Sequence, residues 1–321
     1  MSQEPIAIVS RVTRLLPGWD EMIERAERAG YGVHEEIGTG RTVADLPEDV
    51  AAEMVGLVIS AEPCDAAAFA RMPRLRALSC IGSGIDHVDL DAAEAHGVAI
   101  LRGVGGNAEA VADHALAMLL GLVRGIRLAQ AALHDGRGWT PWPPIVPRDL
   151  RSLTLGVIGL GNIGSAVARR GLAVGMPEVV FNDPYVAAPP SDIAARKLDL
   201  DELLEQADVV TLHTPLTDET RGLIGADEIA RMRDDALLLN LSRGGVLVEQ
   251  AAFAALEAGR LGGVGLDVLE REGPTAPPPP ALPNLLVTPH MAGLSDRVAR
   301  ETRMAAIDRL LDALAAAPTA A

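Results

Sequence analysis

A chain of 321 residues with 49% hydrophobic and 22% charged residues has the composition of a folded globular protein, long enough for two cores and unlike a disordered segment. Its 44 acidic against 28 basic residues leave a net charge of −16, which repels phosphate backbones and anionic lipid, so neither nucleic acid nor a membrane is expected as a partner. Two cysteines, Cys64 and Cys80, are too few for a disulfide framework and lack metal-ligand spacing, which points to a reducing cytoplasm and no bound metal.

The opening MSQEPIAIVSRVTRLL sets an acid before a short apolar run and offers no small-residue cleavage site, so no signal peptide is expected. No apolar stretch reaches the roughly 18 residues that span a bilayer. From there, short apolar runs alternate with amphipathic stretches: IAIVS then DEMIERAERAG, MVGLVIS then DAAAFARM, LRALSC then DLDAAEAHG, and finally VAIL at 98–101. Such alternation predicts βαβ units on a parallel sheet. IGTGR at 37–41 reads as a plain loop.

Residues 107–134 carry apolar positions at helical spacing, interrupted only by Gly121 and Gly125, and predict one long helix or a helix pair. The following DGRGWTPWPPIVPRDLRS, with Trp139 and Trp142, reads as a crossing loop. A second alternating series runs through LTLGVIGLG, EVVFND, ADVVTLHTP, ALLLNLS, GGVGLDVL and NLLVTPH, the pattern of a doubly wound sheet. REGPTAPPPPALP is a proline-rich loop, and SDRVARETRMAAIDRLLDALAAA a terminal helix.

Within the second series, LGVIGLGNIGSAVARR contains G-x-G-x-x-G at Gly159, Gly161 and Gly164, after an apolar run and at the start of a helical stretch. In that context the first glycine permits the tight turn, the second lets backbone approach a pyrophosphate, and the third allows close helix packing. Asp183 follows Gly164 by 19 residues, at the end of the next apolar run, where a carboxylate would meet the adenosine ribose hydroxyls. It would repel a 2′-phosphate, and Asn182, Pro184 and Tyr185 supply no arginine to receive one, so the expected cofactor is NAD. The remaining strand ends carry His213 and Thr214, Arg243, Asp267 and His290, which the doubly wound pattern directs toward one crevice.

From about residue 50 onward the chain resembles the D-isomer-specific 2-hydroxyacid dehydrogenase family, through GSGIDHVDLDAAEAHGVAI, NAEAVADHALAMLL, TLGVIGLGNIG, HTPLTDETRGLI, NLSRGG, GLDVLEREGP and TPHMAG in that order. The resemblance implies two doubly wound parallel-sheet domains. A Rossmann NAD domain, 105–292, is inserted into a flavodoxin-like substrate domain, 1–104 plus 293–321. It implies Arg243, Glu272 and His290 as the catalytic set. Gly82, Ser83, Gly84 and Arg243 are implied to hold a small 2-oxo or 2-hydroxy acid. NAD falls to Gly159, Gly161, Asn162, Ile163, Gly164, Asp183, Thr214, Pro215, Leu241, Ser242, Asp267, His290 and Gly293. A homodimer is implied through the helix from Asn107.

The chemistry stands on its own terms. Hydride exchange at a substrate carbon requires a proton donor at its oxygen with a pKa near neutrality, which histidine supplies. A carboxylate beside His290 would favour its imidazolium, and the rigid fork of Arg243 can bind a carboxylate and polarise a carbonyl. The sequence departs from the family pattern in placing Gly273 between Glu272 and Pro274, which leaves Glu270 as an alternative partner. His87 stands where the family often has Asn, and LRGVGG departs from its usual loop. His114 reads as a packing or dimer-contact residue, and His34, His96 and His134 as surface residues. The same fold would also serve an NAD-sensing corepressor-like protein or a dehydrogenase of phosphite or a one-carbon acid.

Overall fold

The fold was obtained as a computed structural model, and the residues it describes are 3–10, 14–38, 40–82, 84–103, 106–137, 146–273 and 275–316. The chain divides into two units, Met1–Gly106 with Leu294–Ala321, and Asn107–Gly293. The two divisions fall slightly later than the sequence boundaries of 104/105 and 292/293, so Gly293 belongs to the second unit.

The first unit is built in chain order from β1 (Pro5–Ser10), α1 (Trp19–Arg28), β2 (Gly32–Ile37), α2 (Glu48–Glu53), β3 (Gly56–Ile59), α3 (Ala66–Arg71), β4 (Ala77–Cys80), α4 (Leu90–Ala95) and β5 (Ala99–Leu101). Its five strands are parallel in the order β2-β1-β3-β4-β5, the flavodoxin-like arrangement. Alternate residues of β1 serve opposite faces. Ala7 and Val9 join the core under α2, α3 and α4, while Ile6 and Ile8 join the core containing Trp19 and Met22 of α1. Asp65 and Asp89 cap α3 and α4 by accepting from Ala68 N and Ala92 N at 2.9 Å.

β2 has no counterpart in the sequence reading. It is an edge strand, GVHEEI, whose residues are all half-buried, so no apolar run announces it. His34, expected on the surface, is half-buried there, with Nε2 3.4 Å from Glu36.

The second unit contains α5 (Ala108–Val123), α6 (Ile126–Ala132), β6 (Thr154–Ile158), α7 (Asn162–Ala173), β7 (Glu178–Asn182), β8 (Ala195–Lys197), α8 (Leu200–Gln206), β9 (Val209–Leu212), α9 (Ala226–Arg231), β10 (Ala236–Asn240), α10 (Glu249–Glu257), β11 (Leu261–Leu266) and β12 (Leu285–Val287). The apolar stretch from Asn107 is thus a helix pair, broken where Gly125 adopts a left-handed conformation. Trp139 and Trp142 lie outside the described residues.

Its seven strands are parallel in the order β12-β11-β10-β9-β6-β7-β8. The order reverses between β6 and β9, the place where doubly wound sheets bind ligands beyond their carboxyl ends. One face packs on α5 and α7 through Val157, Val179, Phe181 and Leu239, the other on α8, α9 and α10 through Ile158, Val180, Val210 and Leu238. Finally α11 (Asp296–Ala316) returns to the first unit, where Ala306, Ile307, Leu310 and Leu314 are buried beside β1 and β3. No single helix among the described residues is long and apolar enough to cross a membrane.

Candidate active site

The turn after β6 satisfies the steric demands that its three glycines predict. Gly159 has φ +89°, and a Cβ there would lie 2.8 Å from His213 O at the end of β9. A Cβ on Gly164 would lie 1.9 Å from Gly159 O, so only glycine lets α7 start this close to the turn. Gly161 differs: a Cβ there would meet no protein atom within 4 Å. The space this middle glycine leaves free therefore opens away from the protein, directly before Asn162 at the start of a twelve-residue helix, where unpaired backbone N–H groups suit a pyrophosphate. Thr214 Oγ1, beside Gly159, is buried without a hydrogen-bond partner among the described residues, a polar atom a ligand could satisfy. These features fit a dinucleotide.

Asp183, at the end of β7, is 9% exposed. Its Oδ2 accepts from Leu160 N at 2.8 Å, and its Oδ1 from Tyr185 N and Val186 N at 2.9 and 3.2 Å. The carboxylate therefore pins the glycine turn to the end of β7 and brings negative charge to the position expected for a ribose.

The turn after β10 is organised by buried Asn240, which donates through Nδ2 to Arg243 O at 2.8 Å and accepts through Oδ1 from Ser242 N and Oγ. Leu241 and Ser242 are buried; Arg243 is half-buried and donates to Ser242 O at 2.8 Å. A Cβ on Gly244 would lie 2.2 Å from Leu269 C and 2.4 Å from Glu270 N. This glycine thus packs the Arg243 turn against the backbone that leads to Glu272.

His290 lies in the loop after β12 and has φ +51°, a left-handed conformation that a side-chain-bearing residue occupies at a cost of about 1–3 kcal/mol. Its N–H donates to Asp267 O at 2.7 Å and Thr288 O at 3.0 Å. The imidazole Nδ1 is 2.8 Å from Glu272 Oε2, and Glu272 Oε1 accepts from Leu269 N. Glu270, the alternative partner, instead exchanges hydrogen bonds with the Glu249 backbone and carboxylate. The pairing fixes Nδ1 toward Glu272 and leaves Nε2 to move a proton, at a ring that is 38% exposed.

Asp267 is 2% exposed, and both of its oxygens are engaged within the same loop: Oδ1 by Thr288 Oγ1 at 2.5 Å and Met291 N at 2.9 Å, Oδ2 by Ala292 N at 2.8 Å. Its first task is to hold the His290 loop, a role its assignment to the cofactor did not anticipate. His114 joins the same cluster from α5, with Nε2 3.0 Å from Thr288 Oγ1. No local pattern around His114 in the sequence signals this.

The other histidines differ in kind. His213 contacts Thr211 Oγ1 at 2.9 Å, and burial pushes its ring down to about 3, so it stays neutral at physiological pH and cannot act as a reservoir of protons. His96 and His134 are exposed. In the first unit, Gly82 follows β4 and accepts from Gly103 N at 2.9 Å; Ser83 lies outside the described residues, and Gly84 begins the stretch leading to His87, whose Nε2 is 3.9 Å from Cys80 Sγ. Burial pushes the Cys64 and Cys80 thiols up to about 12 and 11, which leaves them unreactive. Thr214, Pro215 and Ile163 lie at the carboxyl end of β9 and the start of α7, and Gly293 closes the loop, where a Cβ would approach Asn107 Nδ2 to 2.8 Å.

Comparison with known proteins places this geometry in context. Residues 116–292 match the D-isomer specific 2-hydroxyacid dehydrogenase, NAD binding domain. The chain is 33% identical over 299 residues to glyoxylate/hydroxypyruvate reductase B of Escherichia coli O9:H4 (strain HS), covering 92% of each chain. It is 35% identical over 263 residues to D-3-phosphoglycerate dehydrogenase of Archaeoglobus fulgidus, covering 81% of this chain and 49% of the relative. The chain thus spans about half the length of the D-3-phosphoglycerate dehydrogenases it matches. Among solved structures, D-lactate dehydrogenase from Aquifex aeolicus, complexed with NAD and lactic acid, superposes with a TM-score of 0.82 at 27% identity, over 96% of this chain and 95% of that one.

Proposed function

The chain belongs to the D-isomer specific 2-hydroxyacid dehydrogenase family and carries its NAD-binding domain, and from that premise we propose that it reduces a small 2-oxo acid, of the size of glyoxylate, hydroxypyruvate or pyruvate, to the 2-hydroxy acid. The observation that carries the reading is the 2.8 Å contact between His290 Nδ1 and Glu272, which orients the ring so that Nε2 can give a proton. The pair argues for catalysis over NAD sensing alone, which needs no proton donor. Full-length similarity to glyoxylate/hydroxypyruvate reductase B supports a small substrate over a phosphorylated one.

Bound NADH would supply the hydride, and NAD+ would accept it in the reverse direction. Gly161, Asn162 and Asp183 are the residues proposed to hold the dinucleotide, at the pyrophosphate and the ribose. Arg243 binds the substrate carboxylate and draws electron density toward the carbonyl oxygen. His290 donates the proton to that oxygen, and Glu272 holds the ring through Nδ1.

A panel of 2-oxo acids, including the phosphorylated acid corresponding to 3-phosphoglycerate, read by NADH absorbance, tests the reading. Turnover of at least one small acid is expected, with NADH preferred over NADPH by at least about tenfold in kcat/KM, or about 1.4 kcal/mol. Equal use of both cofactors would contradict the role of Asp183. Failure of the whole panel, with oxidation of phosphite or formate by NAD+, would transfer the site to the inorganic or one-carbon reading. Asp183→Ala narrows the cofactor gap, and it also weakens NADH binding, since Leu160, Tyr185 and Val186 N–H lose their acceptor.

We also infer a cytoplasmic homodimer. Ile126 and Leu133, seven residues apart along α6 and its C-cap, are 58% and 46% exposed, an apolar pair suited to cover by a second copy. Light scattering at micromolar concentration should give twice the 33.6 kDa chain mass; a monomeric mass would refute the inference.

A further inference from the structure

The loop that carries His290 is held by a chain of hydrogen bonds whose far end is a residue outside the proposed chemistry. Thr288 Oγ1 lies 2.5 Å from Asp267 Oδ1 and 3.0 Å from His114 Nε2. An ionised carboxylate only accepts, so the single hydroxyl proton of Thr288 belongs to the bond with Asp267. The hydroxyl oxygen must then accept from His114, which fixes a proton on His114 Nε2.

The chain continues through the carboxylate. Asp267 Oδ1 also accepts from Met291 N and Oδ2 from Ala292 N, the two residues that follow His290, while Asp267 O accepts from His290 N itself. Four residues of the loop, Thr288 and His290 to Ala292, are thereby tied to Asp267. These are the bonds available to stabilise the left-handed backbone at His290, because a strained conformation persists only where its surroundings over-determine it. Asp267 is nearly inaccessible, so water cannot easily replace a lost partner. His114 projects from the sixteen-residue helix α5, a rigid base for the outermost member of the chain.

We propose that His114 is a positioning residue: its Nε2–H orients the Thr288 hydroxyl toward Asp267, and through that carboxylate holds the loop that presents His290 to Glu272 and to substrate. The inference rests on the reading of His290 as proton donor for its effect on turnover, but not for its effect on the loop.

The test therefore combines amide hydrogen exchange with kinetics. In His114→Leu, exchange across residues 288–292 should quicken by at least about tenfold, while the amides of β9 keep their protection. His114→Gln, whose side-chain amide can donate from a similar position, should recover most of the loss. In steady-state reduction, kcat should fall about tenfold in His114→Leu with KM for NADH within about twofold of wild type, the split expected when a proton donor is misplaced and cofactor binding is not. Thr288→Val should reproduce the exchange and kinetic changes, and it carries the test if His114→Leu does not fold.

Unchanged exchange at 288–292 in both variants, or a loss of protection spread evenly through the second unit, would overturn the proposal. So would a glutamine variant no better than leucine. A wild-type protein inactive on every 2-oxo acid would count against the reading of the site, while the exchange pattern would still decide the role of His114.

Discussion

Replacing His290 with alanine should lower kcat for 2-oxo acid reduction by about 10²–10⁴, the contribution of a positioned general acid, while NADH affinity changes little. The expectation follows from geometry: Nδ1 is committed to Glu272 at 2.8 Å, and the surrounding loop holds the His290 backbone in a left-handed conformation that an unsupported histidine would leave. Glu272→Gln supplies the companion test: the amide can still meet Nδ1 but loses the charge-assisted hold on the ring, so kcat should fall by about tenfold with KM for NADH within about twofold of wild type. Stopped-flow and steady-state rates check both. Retention of the wild-type rate in His290→Ala would refute this identity of the acid.

Arg243→Ala should reduce kcat/KM by a factor of about 10²–10³, with KM rising and kcat falling together, because on the proposed reading one guanidinium both holds the carboxylate in the ground state and stabilises charge on the oxygen in the transition state. Arg243→Lys should recover only a small part, since an ammonium lacks the planar fork. The turn that presents Arg243 is set by Asn240 and by the close approach of Gly244 to Leu269 and Glu270, supports that remain when the substitution removes the guanidinium and its bond to Ser242 O. If KM and kcat both stay within about twofold of wild type, Arg243 does not touch the substrate.

The Rossmann turn was legible because its demands are local. Gly159, Gly161 and Gly164 are needed for a positive φ, an open approach and a tight helix start, all within six residues, and Asp183 lies one strand away at the same sheet end. Strand identity was legible where burial on both faces leaves a continuous apolar run, as in the ALLL that opens β10, and not where the strand lies at an edge, as in GVHEEI of β2. The candidate proton donor, His290, was named from residue type, strand-end position and resemblance.

What the residues determined by themselves was therefore the periodic and the local: two parallel sheets, a glycine turn for a dinucleotide, and polar residues gathered at strand ends. Only the tertiary structure decided which groups meet. Glu270 and Glu272 are two positions apart in an exposed loop with no periodicity to separate them, and it is the packing of that loop that gives Glu272 to His290 and turns Glu270 toward Glu249. The contact of His114 with Thr288 spans 174 positions and exists because α5 packs against β10 and β11, near the start of the His290 loop. Such pairings depend on the order of strands across the sheet and the crossing of helices over it, and neither is encoded in the neighbours of either residue.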